Sequence, residues 1–227
     1  MFDDPLDPPS PRTWYSCADL HRWNREFAAE AHAVIDAARD GQWDTVIERI
    51  DAHGDSADLV NVWRPGGRAE YTPLHHAARH GDALAVRELL ARGAWRLQRN
   101  ARGETPADVA TRHGHTALHT LLDPELEMRA LLWQMRPLQH WFTALVRARL
   151  AHSAELWNTL RLPDLEVVAE CAPRALWFPV PGLGGGFLLR YEQDGTYPVI
   201  IADSWSRMAD GSEQRHRISE TECRLIP

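Results

Sequence analysis

The sequence predicts an α+β protein: an N-terminal helical repeat stack with helical caps, followed by a small antiparallel β-rich domain. Three observations carry this expectation. A block of turn-forming, small and apolar residues starting at Thr72 returns 33 residues later at Thr105. Apolar residues at helical spacing flank that block on both sides. After Pro163 the pattern changes to short apolar or alternating runs punctuated by Pro-Gly, Gly-Gly-Gly and Asp-Gly.

The elements follow in order. Residues 1–13 are acidic and carry Pro5, Pro8, Pro9 and Pro11, which predicts a disordered tail. Ser16 followed by Asp19 has the form of a helix-capping box, and Trp23, Phe27, Ala31, Val34 and Ile35 recur at helical spacing up to about Ala38. Gly41 ends this helix. A second helix places Trp43, Val46, Ile47 and Ile50 on one face, and residues 51–70 are loop-like.

The block Thr72-Pro73-Leu74-His75 continues through Ala77-Ala78, Gly81-Asp82, Val86, Leu89-Leu90 and Gly93-Ala94. One period on, Thr105, Pro106, Ala110 and Gly114 stand for Thr72, Pro73, Ala77 and Gly81. Leu121 and Leu122 stand for Leu89 and Leu90 after a slip of one residue. Thr suits a helix N-cap and Pro the first helical turn. The Ala pair lets neighbouring helices approach, and Gly turns the chain from one helix into the next. This pattern resembles the ankyrin-repeat family, closely over 68–100. The unit 101–123 departs from it at Ala107-Asp108, where the family has Leu-His. A degenerate earlier unit is read at 30–62, where Ala37-Ala38, Gly41 and Val46 imitate the helix pair. The expected organisation is therefore the tail at 1–13, then a cap helix and about three ankyrin repeats at 14–123. Capping or linker helices follow at 124–162, with Pro137 set to break or kink them, and a small β-rich domain at 163–227.

Four to six strands are expected in that last domain. Leu165–Val168, Ala175–Val180, Phe187–Tyr191 and Pro198–Ala202 come first, and Arg215–Ile218 and Cys223–Ile226 add two more. Asp194-Gly195 is a hairpin turn signal.

Composition narrows the function. A chain of 227 residues with 44% hydrophobic and 25% charged residues can bury a core. All 25 basic residues are Arg, read as codon bias of a GC-rich, bacterial-type genome. Without lysine there is no Schiff-base chemistry and no P-loop lysine. The net charge of −7 argues against general nucleic-acid binding, because phosphate neutralisation supplies most of that affinity. The charge is uneven: residues 61–123 hold nine Arg against six acids. Cys17, Cys171 and Cys223 are odd in number and far apart, against a disulfide framework. No signal peptide and no membrane-length apolar run is evident, so a cytoplasmic location and no membrane partner are expected.

Several groups compete as chemical sites. Gly182–Gly186 has the look of a phosphate loop, but no Lys-Ser/Thr follows, and a flexible turn between strands is the plainer reading. His115 and His119 share a helix face near His113, but neither carboxylate nor Cys completes a metal set. Ser204, Asp203 and His216 could compose a hydrolytic trio, with Arg207 or Arg215 nearby, although no nucleophile elbow surrounds the Ser. No cofactor, metal site or catalytic residue is assigned. The resemblance implies that His75 fixes a turn. It also implies that partners bind at loop tips and exposed first-helix positions. Here these are Arg68, Glu70, Tyr71, His76, Arg79, His80, Arg96, Arg99, Arg102, Glu104, Arg112 and His113. His76, His80 and His113 fall outside the repeat framework and are expected to be exposed. The leading expectation is a non-enzymatic module binding a protein with an acidic surface. An enzyme with its site in 163–227, and an immunity or antitoxin protein, stay open beside it. The sequence leaves the oligomeric state undetermined.

Overall fold

The structure is a computed structural model that describes residues 10–15, 25–53, 59–64, 69–151, 154–180, 184–206 and 213–227. The chain divides into two compact units, residues 17–129 and residues 130–227 together with 1–16.

The first unit is a succession of helix pairs. Helices α1 (Arg25–Arg39) and α2 (Trp43–His53) form the first pair, and α3 (Pro73–His80) and α4 (Ala83–Ala91) the second. Helix α5 (Pro106–Arg112) is followed by a 3-10 turn at Thr116–Leu118 and the short α6 (His119–Leu122). The expected capping at Ser16 and the packing of Trp23 lie outside the described residues. Local chemistry fixes the repeat ends. Thr72 accepts from the His75 N–H, the His75 ring accepts from the Thr72 N–H at 3.3 Å, and Pro73 opens α3. Because Nδ1 of His75 accepts there, Nε2 carries the proton and donates to the Glu104 carbonyl at 3.1 Å, tying one repeat to the next. Thr105 caps α5 in the same way, with Asp108 in place of the His. The Asp108 carboxylate accepts from the Thr105 N–H and hydroxyl, both at 2.8 Å, so the departure from the family pattern keeps the capping box. Ala37, Ala38, Ala77, Ala78 and Ala110 are buried, with Leu74, Val86, Leu89 and Leu122 filling the space between pairs. Asn61 joins repeats from inside: it donates to the Gly93 carbonyl at 3.0 Å and accepts from the Trp95 N–H at 2.9 Å.

The other unit is a six-stranded, mostly antiparallel sheet in the order β1-β2-β3-β4-β5-β6, with helices. Its strands are β1 (Arg12–Thr13), β2 (Leu176–Val180), β3 (Gly185–Asp194), β4 (Tyr197–Trp205), β5 (Gln214–Ile218) and β6 (Cys223–Ile226). After α7 (Leu126–Leu131), the helices are α8 (Met135–Arg149), α9 (Ala154–Thr159) and α10 (Leu165–Cys171). Leu138, Phe142 and Val146 of α8 are fully buried, and Phe142 meets Phe178 and Phe187 edge-on at 6.2 and 5.8 Å.

Four expectations differ from this unit. Leu165–Val168 is helix, not strand: Gln139 of α8 accepts from the Leu165 N–H at 2.9 Å and donates to the Pro163 carbonyl at 3.2 Å. A four-residue apolar run reads equally as either element, and here a tertiary contact decides. Helix α8, expected as a cap of the repeat stack, covers the sheet. Pro137 does not break it, because it sits in the first turn, where N–H groups need no helical partner. Arg12 and Thr13, placed in the expected tail, pair parallel with β2. The next residue, Trp14, is fully buried, donating its indole N–H to the Arg161 carbonyl at 2.9 Å. The first nine residues of that tail lie outside the described residues.

Candidate functional site

The glycines that end the first helices of three successive pairs share a left-handed conformation: φ is 74° at Gly41, 73° at Gly81 and 82° at Gly114. Two residues before each stands an arginine: Arg39, Arg79 and Arg112. Equivalent positions on stacked repeats face the same way, so the three form a row across α1, α3 and α5. All three line one cavity of about 490 Å³ in the repeat unit, bounded by those helices and the loops before α3 and α5.

The structure brings Glu70, Tyr71, His76, Arg79, Arg102, Arg112 and His113 together in this lining. Sequence reasoning missed Ile35, Asp36, Arg39, Arg64 and Ala69, which complete it. The signal for Arg39 was present, since aligning Gly41 with Gly81 places Arg39 opposite Arg79. The remaining candidates face other tasks. The His80 imidazole donates to the Arg39 carbonyl at 2.9 Å and meets Trp43 edge-on at 5.8 Å. Arg96 donates to the Leu121 carbonyl at 3.0 Å, and Arg99 to the Gly103 carbonyl at 3.3 Å. Glu104 pairs with Arg112 at 2.8 Å and accepts from Asn100 at 2.8 Å. Arg68 lies outside the described residues.

The cationic groups of the cavity are not equivalent. Arg39 is bound to Asp36 and Asp40 at 3.0 and 2.9 Å. Arg64 is bound to Asp36 at 2.8 Å. Arg112 is bound to Glu104 and also donates to the Tyr71 hydroxyl. Among the described residues, the Arg79 and Arg102 side chains have no carboxylate partner. Glu70 takes a positive φ of 50°, unusual for a residue with a side chain, at the turn that delivers Tyr71.

His76 corrects an expectation. It is 6% exposed, not surface-lying, and its Nδ1 has no hydrogen-bond partner among the described residues. Its ring meets Tyr71 edge-on at 5.2 Å, while Tyr71 stacks on His75 at 5.4 Å. Framework pattern alone places His76 beside the Ala pair, and the three-dimensional reason for burial is the Tyr71 ring closing over it. Burial, then the charges of Arg79, His80 and Arg39, push its pKa down to about 4, against the opposing pull of Asp40. His113 stays exposed on the rim. Its pKa is also lowered, by desolvation first and then by Arg112 and Arg79. Both imidazoles therefore sit in positive surroundings.

The other motifs resolve differently. Gly185 and Gly186 are strand residues, not the flexible turn expected. A Cβ on Gly185 would lie 2.1 Å from the Trp205 carbonyl oxygen, and one on Gly186 would lie 2.3 Å from the Phe178 carbonyl oxygen and 2.7 Å from the Trp177 ring. Their missing side chains admit the Trp177–Trp205 stack, 4.5 Å between centroids. Residues 181–183 of that loop lie outside the described residues. In the register of β4 and β5, Ala202 pairs with His216 and Asp203 with Arg215, so Asp203 and His216 point to opposite faces. Asp203 binds Arg190 and Arg215, each at 2.6 Å, while Ser204 donates to the Gln214 carbonyl at 3.4 Å. The Ser-Asp-His trio is not brought together, and Arg207 lies outside the described residues. His119 is held by Asp123 at 2.9 Å and Thr111 at 2.7 Å. Against Gly81, the His115 ring packs so closely that a Cβ there would lie 2.5 Å from it. Among the described residues no group of three or more His, Cys, Asp or Glu could hold a metal, and no helix is long and apolar enough to cross a membrane.

Comparison with known proteins agrees with the helix pairs. The chain is 42% identical over 138 residues to the palmitoyltransferase ZDHHC13 of Mus musculus, covering 57% of this chain and 21% of that one. It is 48% identical over 52 residues to the tyrosine-protein kinase Shark of Drosophila melanogaster, covering 23% of this chain and 6% of that one. The chain thus spans at most about a fifth of the length of either relative. The family model for ankyrin repeats matches residues 34–130 in three copies and stops short of the sheet. Residues 34–130 are ankyrin repeats, in three copies.

Proposed function

We propose that this chain is a non-enzymatic binding protein whose repeat unit captures a partner protein, one with an acidic surface, on the face where α1, α3 and α5 present the Arg39–Arg79–Arg112 row. The observation that carries the reading is the cavity itself: five arginines line it against two carboxylates, Asp36 and Glu70. Ankyrin repeats support protein interaction, and a preformed surface on rigid helices binds without a large ordering cost. Clustered arginine and a tyrosine supply the side chains that dominate binding energy at interfaces. Positive potential in a concave site steers acidic partners. The palmitoyltransferase and kinase activities belong to the relatives named above, and no residue of this chain is assigned to either.

The test is affinity capture from lysate of the source cell, comparing the full chain with an Arg79→Glu, Arg102→Glu, Arg112→Glu variant whose fold is checked by circular dichroism. A partner held by the wild type and released by the folded variant supports the reading. A partner held equally by both moves the binding surface to residues 130–227.

A further inference from the structure

The three arginines of the row occupy one position in three repeats, yet they differ in what they hold. Arg39 carries Asp36 and Asp40, and Arg112 carries Glu104. This fold thus shows twice that the position accepts a carboxylate. Arg79, the middle member, has none among the described residues, and neither has Arg102, which lines the same cavity. Both are exposed cations, so an anion entering the cavity meets two open guanidinium groups.

Of the other polar groups in the lining, Asp36 is already held by Arg39 and Arg64 and Glu70 is an acceptor, while the Tyr71 hydroxyl can donate. The Tyr71 hydroxyl accepts from Arg112, which leaves its own proton available. The cavity of about 490 Å³ is several times the size of one carboxylate group, and Ile35, Ala69 and Tyr71 give part of its wall an apolar character. It suits a carboxylate on an aliphatic stem, attached to more chain, better than a small free anion. Resting on the protein-binding reading above, we infer that the cavity is the anchor site for one acidic side chain of an extended partner segment, its carboxylate held by Arg79 and Arg102 and its stem lying against Tyr71. Arginine favours this role because its planar fork matches a carboxylate with two parallel hydrogen bonds.

The experiment uses the full chain and follows the His76 ring by heteronuclear NMR, the resonance being assigned with His76→Gln. The probes are capped octaglutamate, capped octaglutamine and inorganic phosphate at matched ionic strength. The expected result is a saturable shift of His76 by octaglutamate and none by octaglutamine. Arg79→Gln with Arg102→Gln should weaken octaglutamate by about ten-fold or more, while Arg87→Gln on α4 with Arg224→Gln on β6, neither of which lines the cavity, should leave it within about two-fold. Equal weakening by both variants would overturn the site in favour of diffuse charge attraction. Phosphate saturating His76 at lower concentration than octaglutamate would overturn it in favour of a small-oxyanion site. The two readings fail separately. A lysate partner lost by the charge-reversal variant but kept by Arg79→Gln with Arg102→Gln overturns only the cavity anchor. Octaglutamate bound in the cavity, with a lysate partner that the charge-reversal variant still holds, overturns only the partner face.

Discussion

The repeat unit and the sheet unit treat charge differently. On the sheet, Asp203 is clamped between Arg190 and Arg215, and Asp194 holds Arg217, so charges presented there are largely closed by neighbouring strands. Elsewhere in the repeat unit the same closure occurs, as Arg92 binds Asp51 and Glu88. On the cavity side it stops, with Arg79 and Arg102 held open among partners that are themselves engaged. A solenoid has this freedom because caps, glycines and the small-residue seam hold it together, leaving one side chain in several without framework duty. A sheet has less, since a residue on an inner strand such as β4 faces two cross-strand neighbours.

The largest effect that would sharpen this contrast concerns glycine. Gly185→Ala should cost the sheet unit about 3 kcal/mol, because the new Cβ meets the Trp205 backbone. Gly103→Ala in the repeat unit, where nothing lies within 4 Å and only a φ of +75° opposes it, should cost about 1 kcal/mol. Chemical denaturation of the two variants, followed separately by backbone amide exchange in each unit, checks this. Equal costs would remove the distinction between close strand approach and simple backbone conformation.

Next in size is the pH dependence that His76 imposes. Unfolded, it takes up a proton near its ordinary pKa of 6.5. Folded, it resists until about pH 4. Its contribution is therefore neutral above about pH 7, and stability falls as pH drops through the window between those values, by up to about 1.4 kcal/mol per pH unit. His76→Leu should flatten that part of the stability curve without weakening the repeat unit near pH 7, since the buried Nδ1 has no partner to lose. An unchanged slope in denaturation midpoints from pH 7 to 4.5 would refute the burial of a neutral ring.

Smaller effects follow at the caps. Thr72→Ala should cost about 1 kcal/mol and Thr105→Ala somewhat less, because the Thr72 box is buried and the Thr105 box is open to solvent. Thermal melts of both variants measure the order, and a reversal would mean that the Asp108 version is the stronger cap. Smallest of all, Arg79→Gln should leave stability within about 0.5 kcal/mol, since the side chain is exposed and has no carboxylate partner among the described residues. A loss of more than that in the same melts would assign Arg79 a structural duty.

The boundary between local and tertiary information runs through particular residues. Thr72, Pro73, Gly81 and their partners one period later were legible because capping, proline geometry and left-handed glycine act within a few residues. The strands at Cys223–Ile226 and around Asp194-Gly195 were legible for the same reason. Seven of the twelve proposed binding residues line the cavity, because positions outside a repeat framework share a face. The helix at Leu165–Cys171 was not legible, since Gln139, far along the chain, selects it. Nor were the strand roles of Gly185 and Gly186, fixed by tryptophans on two other strands, nor the separation of Asp203 from His216, fixed by register. His76 shows the limit most plainly: its place in the repeat follows from the sequence, but its burial depends on where the Tyr71 ring comes to rest. The sequence by itself determined the repeat and its caps, because each rests on short-range geometry, and it placed Arg79 and Arg112 at equivalent positions one period apart. Only the tertiary structure decided which of those arginines are already held by a carboxylate, because ion pairing depends on distances that the folded chain alone brings within reach.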